Sequence, residues 1–449
     1  MFRVAVVGSG PSGVYTAQAL VQQTAVPDVR VHVLDRLPCP YGLVRYGVAP
    51  DHEKIKSLQG TLRTVLEHER VAFVGNVEAG TPELPARRLL ELYHAVVYCT
   101  GAAADRRLGV PGEDLPGSFS ATEFVSWYSA HPDAAPDGFA LGVRSAVVIG
   151  VGNVAVDVAR ILARGAAELL PTDVPQGALD LLSGSTLREV HMVGRRGPSQ
   201  AKFTTKELRE LGSLPDARVS VDPAELALDP AYEDPSELPT ALRRNVEVVR
   251  GWASAPPSAR GRVIRLRFHL RPVELLAEAG RVAAVRFERT VPDGAGGVRG
   301  TGSYEDIEAQ LVLRSVGYRG TPVPGLPFDP ARGTVPHAGG RVLRDGRPSH
   351  GEYVAGWIKR GPTGVIGTNR PCAKETVASL LADAGALARR EVAGEPLDVL
   401  RQSGLRPVQW PGWLAIEAAE TALGASLGRR SVKIADWAGL LDAAGDGRV

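Results

Sequence analysis

The sequence predicts an α/β architecture in two units, each a parallel sheet alternating with helices, with the second unit inserted into the first. Three observations predict it. An apolar run, FRVAVV at 2–7, meets the glycine turn GSGPSG, then a helical stretch and a second strand. The same order recurs from about residue 145 as SAVVIG, GVGNVAVDVARIL and EVHMV. Two further apolar runs, AVVYCTGA at 95–102 and AQLVLRSVGY at 309–318, carry matching ends and mark where the chain leaves the first fold and resumes it.

Each element follows from local pattern. Pro11 to Leu20 reads as a helix, with Val14, Ala17 and Leu20 on one face. VRVHVLD at 29–35 is the next strand, which completes a strand–turn–helix–strand unit. In the second unit Val154, Val158, Ile161 and Leu162 form an apolar stripe along a helix. The stretch 165–188 reads as an insertion, and the Pro- and Asp-rich 213–240 as a long surface excursion. An alanine-rich helix is expected from Ala373 to Leu387, followed by helices and loops bearing Trp410, Trp413 and Trp437. The first fold is placed at 1–104 and 311–449, the second at 105–310.

Composition sets outer bounds. At roughly 100–200 residues per domain, 449 residues suit two or three domains. With 44% apolar and 23% charged residues, the chain has an ordinary globular balance. A net charge of +2 gives no argument for nucleic acid. No apolar window approaches the ~18 residues of a membrane span. No leader is read at the N-terminus, so a cytoplasmic setting is expected. Cys39, Cys99 and Cys372 are far apart, which argues against a disulfide scaffold, a metal site or a redox pair.

The glycine turns carry the chemistry. Gly8, Gly10 and Gly13 fit G-x-G-x-x-G between a strand and a helix that starts at Pro11 and Ser12. The first glycine allows the tight turn, the second lets a pyrophosphate approach the backbone, and the third lets the helix pack on the strand. The helix N-terminus then offers free N–H groups and partial positive charge. Asp35 lies about 20 residues further on, where a ribose-binding acid belongs. Gly150, Gly152 and Ala155 repeat the pattern, with Asn153 and Val154 opening the helix. Here the ribose position holds Arg195 and Arg196 in place of an acid. A guanidinium pair suits a phosphate dianion, so this site favours the 2′-phosphate of NADP over NAD. The site with an acid suits FAD or NAD, and the site with arginines suits NADP; the economical reading is two Rossmann-like dinucleotide-binding domains, with the NADP domain inserted into an FAD domain.

Six stretches in this order resemble the adrenodoxin-reductase-like ferredoxin–NADP reductases. They are VAVVGSGPSGVYTA at 4–17, PCPYGLVRYGVAPDH at 38–52, TGA at 100–102, VIGVGNVAVDVARIL at 148–162, GRRGPSQAKFTTKELREL at 194–211 and VAGWIKRGPTGVIGTNR at 354–370. The family more often has Glu where this chain has Asp35. The resemblance implies FAD contacts from Gly42, Leu43, Arg45 and Gly101. It also implies a flavin edge formed by Gly356, Trp357, Gly364, Val365 and Ile366. Asn153 and Val154 would meet the NADP pyrophosphate. Glu207 would stand near the nicotinamide end, and His52 would relay a proton or hold its loop. Both are carried as candidate catalytic residues.

The implied activity passes hydride from NADPH to FAD, and single electrons onward to a small acidic ferredoxin that serves a downstream system such as a cytochrome P450. Arg209, Arg243 and Arg244 are candidates for its docking face. Three cysteines are too few for an iron–sulfur cluster of the chain's own, which needs about four thiolates. Two other readings stay open. A flavin monooxygenase would use the same two sites, and a non-catalytic flavin-binding sensor would keep the fold without the chemistry.

Overall fold

The computed structural model describes residues 1–256 and 261–445. The chain forms two compact units. One comprises Met1–Val48, His52–Ala104 and Gly317–Val449, the other Ala49–Asp51 and Asp105–Val316.

The first unit is built on an eight-stranded sheet. In spatial order its strands are His337–Ala338, Arg341–Arg344, Arg347–Val354, Ala95–Tyr98, Phe2–Val7, Val29–Leu34, Val71–Gly75 and Val408–Gln409. The five from Arg347–Val354 to Val71–Gly75 run parallel. Antiparallel strands close both edges. Alternation along Phe2–Val7 sends Val4 and Val6 into a core with Val14, Leu20 and Leu380, and Ala5 and Val7 into another with Leu89 and Leu92. Both faces are buried, which is why this strand reads as an unbroken apolar run. Burying each valine contributes about 1.5–3 kcal/mol. The helix after the first turn runs Pro11–Gln22, and the alanine-rich helix begins earlier than expected, at Asn369.

The second unit has a six-stranded, all-parallel sheet. Its order is Ser118–Ser120, Leu311–Arg314, Ser145–Ile149, Glu189–Val193, Arg262–Arg267 and Ala217–Val221. Ala146 and Val148 face the helix Asn153–Ala163 and its neighbours. Val147, Ile149 and Val312 face the other way, onto Leu275, Val285 and Phe287 of an antiparallel sheet. That sheet comprises Leu270–Glu278, Arg281–Pro292 and Val298–Glu308.

Two expectations change, and a third gains detail. The run at 309–318 yields the strand Leu311–Arg314, which pairs with Ser145–Ile149 inside the second unit, so the first fold resumes at Gly317 and not at 311. The 213–240 excursion is partly core: Ala217–Val221 joins the sheet as its edge strand, and Leu226 is fully buried. The 165–188 insertion contains the helices Ala166–Leu169 and Gln176–Ser183. Among the described residues no helix is long and apolar enough to cross a membrane.

Candidate functional site

The first glycine turn is shaped as its spacing predicts. Gly8 sits at φ +110°, and a Cβ there would lie 2.5 Å from the Cys99 carbonyl oxygen. This favours glycine twice over. A Cβ on Gly13 would come 1.8 Å from the Gly8 carbonyl oxygen, so helix and turn touch through bare backbone. Gly10 differs. Its missing Cβ points into space whose nearest atom, the Gly42 Cα, is 3.8 Å away. Gly10 is also the N-cap of the helix, with no side chain capping it and Pro11 at the first helical position. The amides at that end are left to a ligand or water.

Asp35 anchors this turn. Its Oδ2 accepts the Ser9 N–H at 2.8 Å and the Ser9 hydroxyl at 2.5 Å, and its Oδ1 accepts the Leu37 N–H at 3.0 Å. Burial pushes its carboxyl up, opposed by those hydrogen bonds. A carboxylate has about four acceptor sites, so three bonds leave room for a ribose hydroxyl. Gly101, at the end of the strand Ala95–Tyr98, has nothing within 4 Å of its Cβ direction. Beside it, the buried Thr100 Oγ1 has no partner among the described residues.

The two family loops divide in their roles. Gly42 approaches Gly10, and Leu43 beyond it is 40% exposed. Arg45 is held from within the first unit. Its guanidinium is buried, pairs with Glu420 at 2.5 Å and lies 5.0 Å from both the Tyr46 and Trp413 rings. Burial works against its charge, and the Glu420 carboxylate overrides that. In the later loop, Gly356 sits against Ser12, so a Cβ there would fall 2.4 Å from the Ser12 Oγ. Trp357 stacks on Tyr318 at 5.6 Å and donates its indole N–H to the Thr363 carbonyl at 3.2 Å. Gly364, Val365 and Ile366 then lead into the helix Asn369–Leu387, with Val365 62% exposed. Among the described residues these three N–H groups have no backbone acceptor.

The second turn repeats the first. Gly150 takes φ +141°, with a Cβ position 2.2 Å from the Ser315 carbonyl oxygen. Gly152 caps the helix without a side-chain bond, and its Cβ direction is open to 4 Å. Ala155 is fully buried at the helix–strand contact. Asn153 accepts the Thr204 N–H on its Oδ1 at 2.7 Å, tying the turn to the segment after the arginines. Val154 is half-buried against the core.

Arg195 and Arg196 stand just past the strand Glu189–Val193. Arg195 is exposed, and its guanidinium has no partner among the described residues. Arg196 Nη1 donates to the Gly296 carbonyl at 3.3 Å. The loop is pinned from behind by Asp229, which the sequence reading missed. Its carboxylate accepts from the Ser199 N–H and hydroxyl, both at 2.8 Å, and from the Ala231 N–H at 3.0 Å. Gly197 leaves room for it, since a Cβ there would lie 2.3 Å from Asp229 Oδ2.

Glu207 is buried in the first turn of the helix Thr205–Gly212, 3.8 Å from Arg160. Arg160 is wholly buried. It pairs with both oxygens of Asp51 at 2.8 and 2.9 Å, with Asp157 at 2.9 Å and with Glu210 at 2.9 Å. Burial opposes its charge, but Asp157 and Asp51 raise its pKa well above the ordinary value. Glu207 thus borders a structural ion cluster. His52 is buried in the first unit, and its carbonyl accepts the Ile55 and Lys56 N–H groups at the start of the helix Glu53–Lys56.

All three cysteines are free and buried. Burial pushes the Cys99 thiol up to about 12, which leaves it unreactive at neutral pH. The residues fit two nucleotide cofactors and no dithiol. The open Gly10 and Gly101 directions and the unpartnered Thr100 hydroxyl suit FAD in the first unit. The open Gly152 direction and the unpartnered Arg195 suit NADP(H) in the second.

Comparison with known proteins agrees. Residues 2–210 match the family model described as pyridine nucleotide-disulphide oxidoreductase. The chain is 44% identical over 458 residues to NADPH-ferredoxin reductase FprA of Mycobacterium tuberculosis, covering 98% of each chain. It is 39% identical over 463 residues to the mitochondrial NADPH:adrenodoxin oxidoreductase of Arabidopsis thaliana, covering 98% of this chain and 95% of that one. The structure of M. tuberculosis FprA in complex with NADPH superposes with a TM-score of 0.93 at 44% identity over 99% of both chains. Identity at this level along nearly the whole length, with both glycine cradles in place, means that the chain belongs to the family of NADPH-ferredoxin reductases and NADPH:adrenodoxin oxidoreductases.

Proposed function

We propose that this chain is an NADPH-ferredoxin reductase that holds FAD in its first unit and NADP(H) in its second. The observation that carries the reading is the contrast between two alike cradles: one ends in Asp35, the other in Arg195 and Arg196. FAD, when bound, supplies the centre that accepts a hydride from NADPH and releases electrons singly to an iron–sulfur protein.

The chain's own residues bind and orient. Gly8, Gly10, Pro11, Ser12 and Gly13 present helix amides to a diphosphate. Asp35 receives a ribose hydroxyl on its remaining acceptor site. Gly101, Gly356, Trp357, Gly364, Val365 and Ile366 border the flavin ring, the last three through backbone N–H groups that favour negative charge on it. Leu43 and Arg45 contact the FAD, and Arg45 also fixes its loop through Glu420. Gly150, Gly152, Asn153 and Val154 hold the second diphosphate, with Arg195 and Arg196 on the 2′-phosphate. Glu207 orients the nicotinamide end, and His52 holds or relays a proton beside its loop. Replacing either by Gln is expected to lower the NADPH-dependent rate with flavin content unchanged.

The acceptor we infer is a small acidic ferredoxin in the cytoplasm, serving a one-electron consumer such as a cytochrome P450. Arg209 and Arg244 are exposed on their helices and Arg243 is half-buried, and they are the candidates we name for steering it. The test is to record the visible spectrum of the purified protein and mix it anaerobically with NADPH, then with NADH, in a stopped-flow instrument. Much faster bleaching by NADPH is expected. A colourless protein, or a flavin that NADPH cannot reduce, would overturn the proposal in favour of a binding module. Stoichiometric oxygenation of a substrate would favour a monooxygenase.

A further inference from the structure

The hairpin joining the strands Arg281–Pro292 and Val298–Glu308 reaches the arginine loop at three points. At its tip, the Gly296 carbonyl accepts from Arg196 Nη1 at 3.3 Å and from Gln200 Nε2 at 3.2 Å. Along its first strand, the buried Thr290 donates its hydroxyl to the Arg195 carbonyl at 2.9 Å. The tip is itself closed by Asp293, whose Oδ1 accepts the Ala295 and Gly297 N–H groups at 2.8 and 2.9 Å.

We propose that this hairpin tip positions Arg196 and so helps to set the preference for a 2′-phosphorylated nucleotide. The proposal rests on the reading of Arg195 and Arg196 as the phosphate site. The Gly296 carbonyl, by accepting from Arg196, holds that guanidinium in place. Arg196 keeps four of its roughly five N–H donors for an anion after giving one to Gly296. Arg195, held through its backbone carbonyl, has no side-chain partner among the described residues. The pair is therefore one held hand and one moving hand. A pre-oriented fork loses less entropy when it meets a phosphate than a free one does. Gln200 and Asp293 belong to the same device: one steadies the carbonyl, the other the turn that presents it.

The experiment uses the full-length flavoprotein and calorimetric titration with 2′,5′-ADP and with 5′-ADP, which differ only by the 2′-phosphate. Asp293→Ala removes the two bonds closing the tip at an exposed position, so the sheet is expected to survive, as its unfolding midpoint will show. Loss of one positioning bond on a charged group is expected to weaken 2′,5′-ADP about three- to tenfold and leave 5′-ADP unchanged. Combined with Arg196→Gln, it is expected to add little to the effect of Arg196→Gln alone, since both act through one side chain. A second variant, in which 293–297 is replaced by Asn-Gly, should reproduce the result. If Arg196→Gln lowers the discrimination and neither hairpin variant does, the hairpin proposal is wrong and the phosphate reading stands. If Arg195→Gln and Arg196→Gln also leave it unchanged, the phosphate reading fails and takes this proposal with it. Equal weakening of both nucleotides by the hairpin variants overturns it too.

Discussion

Asp229 grips Ser199 by both of its donors: one carboxylate oxygen takes the backbone N–H, the other the hydroxyl, each at 2.8 Å. The grip sets the course of the chain immediately after Arg195 and Arg196. Removing it should loosen that course. Asp229→Ala strands buried donors and is expected to destabilise the second unit by about 2–4 kcal/mol. The KM for NADPH should rise more than that for NADH. Denaturant titration and steady-state kinetics with both cofactors check this; equal changes in both KM values would make the effect merely structural.

Arg195 and Arg196 should decide which cofactor is used. Replacing both with Gln removes charge-assisted bonds worth about 1.5–3 kcal/mol each, so NADPH should weaken by roughly a hundredfold or more. NADH should change little. Equal weakening of the two cofactors would show that the 2′-phosphate sits elsewhere.

Two alanine substitutions should separate the two cradles. In Gly13→Ala the new Cβ meets the Gly8 carbonyl oxygen at 1.8 Å, with backbone on both sides. That chain is expected to purify without flavin yet still bind 2′,5′-ADP. In Gly150→Ala the clash is with the Ser315 carbonyl oxygen at 2.2 Å. That chain is expected to stay yellow and lose 2′,5′-ADP. Absorbance and calorimetry read the pair, and the opposite pattern would exchange the two assignments.

Acid should destabilise the first unit through His32. Burial, with help from the Arg3 guanidinium, pushes its pKa from 6.5 down to about 4. The folded form therefore refuses a proton that the unfolded chain takes. The stability from this neutral ring is fully present above pH 6.5, declines as the pH falls, and is lost once it passes about 4. At about 1.4 kcal/mol per unit, the loss is roughly 3 kcal/mol. In His32→Asn, which leaves Tyr93 without its ring partner at 2.9 Å, this component of the acid decline should vanish. Denaturation at pH 7, 5.5 and 4 on both proteins measures it.

What the sequence made legible was what is local in it. Each cradle is a strand, a glycine turn and a helix within one short stretch, and close packing at Gly8, Gly13, Gly150 and Ala155 demands small residues that the eye can find. The arginine pair stood out because it breaks an expected pattern. What stayed hidden is held across distance. Asp229 is 30 positions from Ser199, Asp51 is 109 from Arg160, and Glu420 is 375 from Arg45. No periodicity announces such partners. Arg45 stood in a motif-bearing loop, while its partner Glu420 lay in a tail that carried no motif. The antiparallel sheet was hidden for another reason. Its middle strand, Arg281–Pro292, mixes charged and apolar residues and shifts register between Glu288 and Thr290, which blurs the alternation that would reveal it.

The pairing of Val354 with Tyr98 has a consequence for how the molecule is made. The strand that completes the parallel part of the first sheet leaves the ribosome only after the whole of Asp105–Val316 has been synthesised. The second unit needs little from outside that span, so it can close while the first still waits for its missing strand. A nascent chain would then expose the unpaired edge of Ala95–Tyr98 until the later segment arrives, and an unpaired edge invites association with other chains. Synthesis from the N-terminus therefore finishes the domain that begins second before the domain that begins first.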